Sequence, residues 1–331
     1  MATQPNPPSP DRDGPTVTHR PSTTTLAAAR ARRFAAAFLE GPVFVALVAV
    51  VETLVATALL GVPLSPAPAV VGLVAFAVYA TDHVADAEAD AASTPERAAA
   101  ARRHADLFTA AAALAYGLAV AVALFGGPLA LAITLLPGVC WVCYASDWLP
   151  TVGDALPGVA ERVPRLKDVL LVNSLVVAVA WATALTLLPL AFAAPAIEGP
   201  PNVAGLDPAV APVAAVVFAY FLLRSFVDVE VPNVRDVRAD REAGVATLPT
   251  ALGVRRTRRT LYLVDGVVVA LIAAAGAADL LAPVHVAALL VGVTVSLATT
   301  GLVGRVRERR LLGIAPECSY LVAAAALLLL G

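Results

Sequence analysis

Apolar side chains occupy long, nearly unbroken runs, separated by connections that carry Pro, Gly or charge. A helix needs about 20 apolar residues to cross a hydrocarbon core. Runs of that length centre near Val50, Val74, Leu114, Leu135, Val179, Val217, Val269, Val293 and Ala323, the last interrupted by Pro316 and Glu317. The pattern predicts an all-α integral membrane fold of nine transmembrane helices over 29–331. Residues 1–28 are rich in Pro, Ser, Thr and charge, bury too little surface to offset the entropy of ordering, and read as a disordered tail. That tail also lacks the apolar core and small-residue cleavage site of a secretory signal.

Composition agrees: 59% of the 331 residues are hydrophobic and 15% charged, with a mean hydropathy of +0.81, which excludes an ordinary soluble domain. The formal charge of -2 hides an asymmetry. All 23 Lys and Arg fall on the tail or on the connections after spans two, four, six and eight, with Arg224 read as lying at a membrane edge. The opposite connections, GVPLSPAP, FGGP, AAPAIEGPPNVAGLDP and AADLLAPV, contain neither. Because Lys and Arg favour cytoplasmic loops, the N-terminus is predicted inside and the C-terminus outside. The chain reads as a multi-pass cell-membrane protein with membrane lipid around it, and neither a nucleic-acid nor a protein partner is indicated. Three cysteines give no disulfide framework and no ligand set, and Cys140 and Cys143, inside an apolar span, read as packing.

Two acidic stretches break the apolar pattern, both on connections predicted to be cytoplasmic. In YATDHVADAEAD, from Tyr79 to Asp90, the carboxylates of Asp82, Asp86 and Asp90 recur at steps of four, along one face of a helix. In EVPNVRDVRAD, Glu230, Asn233, Asp236 and Asp240 are spaced three, three and four, again close to one face. Carboxylates in that register repel one another without a cation and suit a hard divalent ion such as Mg²⁺, whose shell phosphate oxygens often complete. Two oxygen-rich faces on one side of a membrane could clamp a polyanion between metal ions. Arg235, Arg238 and Arg241 interleave with the second stretch, and Arg255, Arg256, Arg258 and Arg259 read as a topology and lipid-headgroup feature.

This pair of stretches resembles the UbiA superfamily of intramembrane prenyltransferases. Asp86 and Asp90 match the later acids of that family's first motif; Asp236 and Asp240, then Gly244 and Thr247-Leu248-Pro249, match its second. Asp82 occupies the place of the usual Asn, His83 that of the following Asp, and Asn233 the place where the second motif usually opens with Asp, so carboxylate and amide have in effect changed places. Pro95 and Arg97 remain from the loop that follows the first motif.

The resemblance implies nine helices around a central cavity, and a Mg²⁺-dependent transfer of a prenyl group from an isoprenoid diphosphate to a lipophilic acceptor (quinone precursor, lipid or carotenoid type), with release of pyrophosphate. It implies Asp86, Asp90, Asp236 and Asp240 as metal ligands and catalytic residues. Asp82, Arg97, Tyr144, Lys167, Glu230, Asn233 and Arg241 follow as substrate contacts, Lys167 being the chain's one lysine. An allylic cation needs aromatic faces, for which Tyr79, Tyr144 and Trp181 are candidates.

Glu40, Glu52 and Asp265 are ionisable groups at membrane depth, either functional or paired for structure. His83 and His104 read as exposed. Two other classes deserve weight. A membrane CDP-alcohol-type phosphotransferase also carries paired Asp motifs, but its Gly-Ala-Arg pattern between the acids is missing. A cation transporter would hold ions near the bilayer midplane, whereas these acids stand at helix ends.

Overall fold

A computed structural model describes residues 38, 39, 41–85, 87, 95–145, 172–193, 210–243, 245–306 and 309–331, which lie within one unit, Phe38–Gly331. The tail assigned to 1–28 lies outside the described residues. Helices α1 (Pro42–Leu60) and α2 (Ala67–Ala85) are followed by short α3 (Pro95–Arg103) and by α4 (Ala105–Ala123). After a single 3-10 turn at Leu124–Gly126 come α5 (Gly127–Ala145), α6 (Val172–Ala193) and α7 (Ala211–Ala243). Then follow the five-residue α8 (Leu248–Leu252), α9 (Val254–Ala277), α10 (Pro283–Leu302) and α11 (Arg309–Leu330).

Eight stretches among the described residues are long and apolar enough to cross a membrane. One of them, Ala105–Gly138, runs 34 residues through the turn between α4 and α5, where the sequence predicts two spans. Apolar residues lie on all sides of these helices, as they must where lipid replaces water, and large ones such as Leu114, Leu263 and Leu328 stay exposed.

Successive long helices pack as neighbours, α1 on α2, α2 on α4, α5 on α6, α6 on α7, α7 on α9, α9 on α10 and α10 on α11, and α11 returns to α1 to close a ring. Small residues allow the close approaches. A Cβ on Gly292 would meet the Ser319 carbonyl oxygen at 2.8 Å, so α10 and α11 come together only because that position is glycine. Gly253, at φ 77, makes the turn from α8 into α9. Inside the ring, α1, α6, α7 and α11 touch one another across the middle, and side chains from these helices build the sites below.

Candidate active site

The second acidic stretch stands on α7, a continuous helix of 33 residues, about 50 Å long, whose last turns extend beyond its apolar part. Pro232 lies within it and has no N–H, so the carbonyl of Asp228 lacks its helical partner. Glu230 is fully buried. It accepts hydrogen bonds from the Ser174 hydroxyl of α6 at 2.6 Å and from Asn233 Nδ2 at 3.2 Å, with the Leu248 N–H also donating to it. Its carboxyl therefore ties α6, α7 and α8 together and presents Asn233 beside it.

One turn on, Asp236 is gripped by its neighbour: Arg235 Nε donates to both carboxylate oxygens at 2.9 and 3.0 Å, and Nη2 donates to Oδ2 at 2.6 Å. Asp240 follows four residues later. Beyond it the chain folds back, the Val245 N–H donating to the Asp240 carbonyl at 2.8 Å. Thr247 then reaches Asp240 Oδ2 at 3.3 Å, while the Thr250 hydroxyl accepts from the Thr247 N–H at 2.8 Å and Leu248 and Pro249 are buried. The Thr-Leu-Pro segment thus serves as a clamp on the second carboxylate. Burial, and after it the charge of Asp236, pushes the Asp240 carboxyl up to about 6. Two carboxylates one turn apart, one partly desolvated, make a donor set that fits a hard divalent cation.

The first stretch ends α2 at the same end of the bundle. Tyr79 of α2 packs edge-on against Trp181, seven residues after Ser174 on α6, with ring centroids 6.4 Å apart. Two aromatics chosen separately from the sequence are thus brought together. Asp82 is half-buried close by. His83, expected exposed, is 6% exposed instead: α2 turns it inward, where Nδ1 donates to the Tyr79 carbonyl at 2.9 Å and its ring faces Phe108. His104 is exposed as expected, and Arg102 Nη1 donates to the Ala87 carbonyl at 3.3 Å, holding α3 to the end of the acidic stretch.

Arg241 is exposed at the end of α7. Arg97 and Tyr144 lie on α3 and α5, where the backbone alone is described. Asp86, Asp90, Lys167, Glu40 and Gly244 lie outside the described residues, and among the described ones no three His, Cys, Asp or Glu side chains converge as a metal-binding group.

Within this frame the comparisons with known proteins are informative. The model of the UbiA prenyltransferase family matches residues 34–311. The chain belongs to this family. UbiA proteins are intramembrane prenyltransferases that use a divalent metal, which assigns the chain to that activity in general and disfavours the phosphotransferase and transporter readings. A UbiA homologue from Aeropyrum pernix K1, in its apo form, has the same fold, with a TM-score of 0.64 and 17% identity over 87% of this chain and 98% of that one. A digeranylgeranylglyceryl phosphate synthase structure aligns with a TM-score of 0.51 and 14% identity, over 88% of this chain and 96% of that one. No curated protein matches the chain in sequence.

One group of functional-looking residues escaped the reading of the sequence. Arg224 is not at a membrane edge: it lies within the apolar stretch of α7, 1% exposed, and is the largest fully buried side chain. Nη1 donates to Asp265 of α9 at 3.2 Å and to Ser296 of α10; Nη2 donates to Asp228 at 3.0 Å and to Ser319 of α11 at 2.8 Å. Tyr320 lies beneath the guanidinium, 5.5 Å from its carbon, and donates its hydroxyl proton to Asp228. Ser296 and Thr300 donate to Asp265 at 2.7 and 3.1 Å, which settles Asp265 as a paired group. Treating every charge within an apolar run as one set, Glu52, Arg224, Asp228, Asp265 and Glu317, would have found this network.

Proposed function

We propose that the chain transfers a prenyl group from an isoprenoid diphosphate to a lipophilic acceptor at the acidic end of the bundle, with Mg²⁺ as its divalent metal and pyrophosphate as the leaving product. The single observation that carries this reading is the Asp236–Asp240 pair on α7, one carboxylate aligned by Arg235 and the other by Thr247. Asp86, Asp90, Asp236 and Asp240 would hold the metal, which when bound neutralises the diphosphate and favours its departure. Glu230 and Asn233 position α7 against α6; Asp82, Arg97, Tyr144, Lys167 and Arg241 surround the diphosphate and the reacting end of the prenyl chain. Tyr79 and Trp181 offer their ring faces to the allylic cation.

Nine crossings, with α4 and α5 each crossing once, and a cytoplasmic N-terminus would put this end of the bundle at the cytoplasmic face. A separate tail over 1–28 and a transmembrane domain over 29–331 complete the reading. The digeranylgeranylglyceryl phosphate synthase among the similar structures makes geranylgeranyl diphosphate the first donor to test. Purified protein in lipid nanodiscs, given this donor, Mg²⁺ and a panel of lipophilic acceptors, should release pyrophosphate and form prenylated product, and EDTA should stop both. Ion flux in liposomes with no release from any isoprenoid diphosphate would overturn the reading.

A further inference from the structure

Deeper in the bundle than the acidic pair lies a second set of polar side chains, drawn from five helices. Glu52 of α1 is 2% exposed, and its Oε2 accepts a hydrogen bond from Trp181 Nε1 at 2.7 Å. Trp181 stands about 10 Å along α6 from Ser174, the residue that bonds Glu230. The Tyr79 hydroxyl lies within electrostatic reach of Asp82 on one side and of Glu317, Glu52 and Asp228 on the other, so it joins the two levels. Glu317 of α11 is surrounded by protein and senses Asp228, Arg224 and Glu52, yet no described residue hydrogen-bonds its carboxyl. Glu317, Tyr79 and Trp181 nevertheless keep accessible surface, as does Asp228 at 12%. Side chains that face inward from four helices of a ring and remain accessible border an internal space.

The charges around that space are one-sided. Both terminal nitrogens of Arg224 are committed to Asp265, Ser296, Asp228 and Ser319, and among the described residues no other cation faces Glu52, Asp228 and Glu317. An anion placed there would meet carboxylates in a water-poor setting with nothing to balance it. Of the three acids, Glu52 is held by Trp181 and Asp228 by Arg224 and Tyr320. Glu317 alone has its oxygens open to a new partner.

We propose that this space holds the prenyl acceptor, that the acceptor carries no negative charge, and that Glu317 takes the proton the acceptor loses. The inference rests on the prenyltransferase reading above. The C1–O bond of the donor breaks and its electron pair leaves with pyrophosphate. A π or lone pair of the acceptor closes the new bond to C1, and the proton displaced from the attacking atom passes to a Glu317 oxygen. Even with one proton shared between Glu52 and Glu317, one carboxylate remains to receive it. Glu52, fixed by Trp181, holds negative charge beside the aromatic pair that faces the cation.

The test uses full-length protein in nanodiscs with Mg²⁺ and labelled geranylgeranyl diphosphate, reading pyrophosphate and prenyl product separately. Acceptors are supplied as matched neutral and anionic pairs: methyl 4-hydroxybenzoate and its free acid, a geranylgeranyl glycerol ether and its phosphate, a polyene alcohol and the corresponding acid. Wild-type protein should prefer the neutral member by more than about 100-fold. Glu317→Gln should lose product by about 100-fold while pyrophosphate release falls by less than about ten-fold, the cation being captured by water, and Glu317→Asp should restore part of the coupling. Glu52→Gln with Glu317→Gln should erode the preference for the neutral member. An anionic probe used as well as its neutral partner, undiminished product from Glu317→Gln, or release without product from any neutral probe would overturn the inference and leave the prenyltransferase reading standing. No release with any isoprenoid diphosphate would overturn both.

Discussion

Two levels of α7 use the same side chains in opposite ways. At its polar end Asp236 and Asp240 stand one turn apart, partly exposed, each held by a neighbouring donor and neither neutralised from another long helix. Deeper in, Asp228 shares Arg224 with Asp265 and accepts from Tyr320, so that α7, α9, α10 and α11 close around a fully buried guanidinium. The first arrangement leaves carboxylate oxygens for something that comes and goes. The second consumes nearly every donor and acceptor it has. What separates them is water: where a charge can be solvated it can wait for a ligand, and where it cannot it must be paired within the protein.

The comparison is most exposed at Arg224. Arg224→Met strands Asp228 and Asp265 inside the bundle and should cost about 3–5 kcal/mol, read as a fall in Tm in nanodiscs. Adding Asp265→Leu should recover part of that loss, since removing both partners leaves less uncompensated charge. A Tm unchanged by the single substitution would show that the deep level is not a structural clamp. Next, Asp236→Asn and Asp240→Asn should each lower transfer by about 10²–10³-fold while leaving Tm within a degree or so of wild type. If they melt the protein instead, the two levels do not divide function from stability as described.

A smaller effect tests the seam between the levels. Ser174→Ala removes a donor from a buried carboxyl and should destabilise by about 1.5–3 kcal/mol. The smallest concerns pH. With the folded carboxyl of Asp240 raised from 3.8 to about 6, the folded state binds more protons than the unfolded one in that interval. Stability of the metal-free protein should therefore fall as pH rises from about 4 to 6. Millimolar Mg²⁺ should offset the fall if the cation binds there; a metal-free Tm that climbs over the same interval would show the opposite linkage.

The division of labour also explains what could be read from the sequence. Long apolar runs announce helices because each run must satisfy its own backbone in lipid, and the second motif is legible because its residues are consecutive turns of one helix closed by a Thr-Leu-Pro clamp. The deep network is not local: Glu52, Arg224, Asp265 and Glu317 are single charges on four different helices, and nothing in their spacing says that they meet. Arg224 was placed at an edge because a span of about 20 residues was assumed, whereas α7 runs for 33. His83 follows an apolar run directly, and the helix continues one turn past it, far enough to turn the ring inward.

The most direct test of the central claim is the rate of pyrophosphate release from geranylgeranyl diphosphate in nanodiscs, measured with Mg²⁺ for wild type, Asp86→Asn and Asp236→Asn at matched Tm. The account predicts release by wild type that EDTA abolishes and a loss of about 10²–10³-fold in each variant. Release at the wild-type rate by either variant, or release that persists in EDTA, would contradict it.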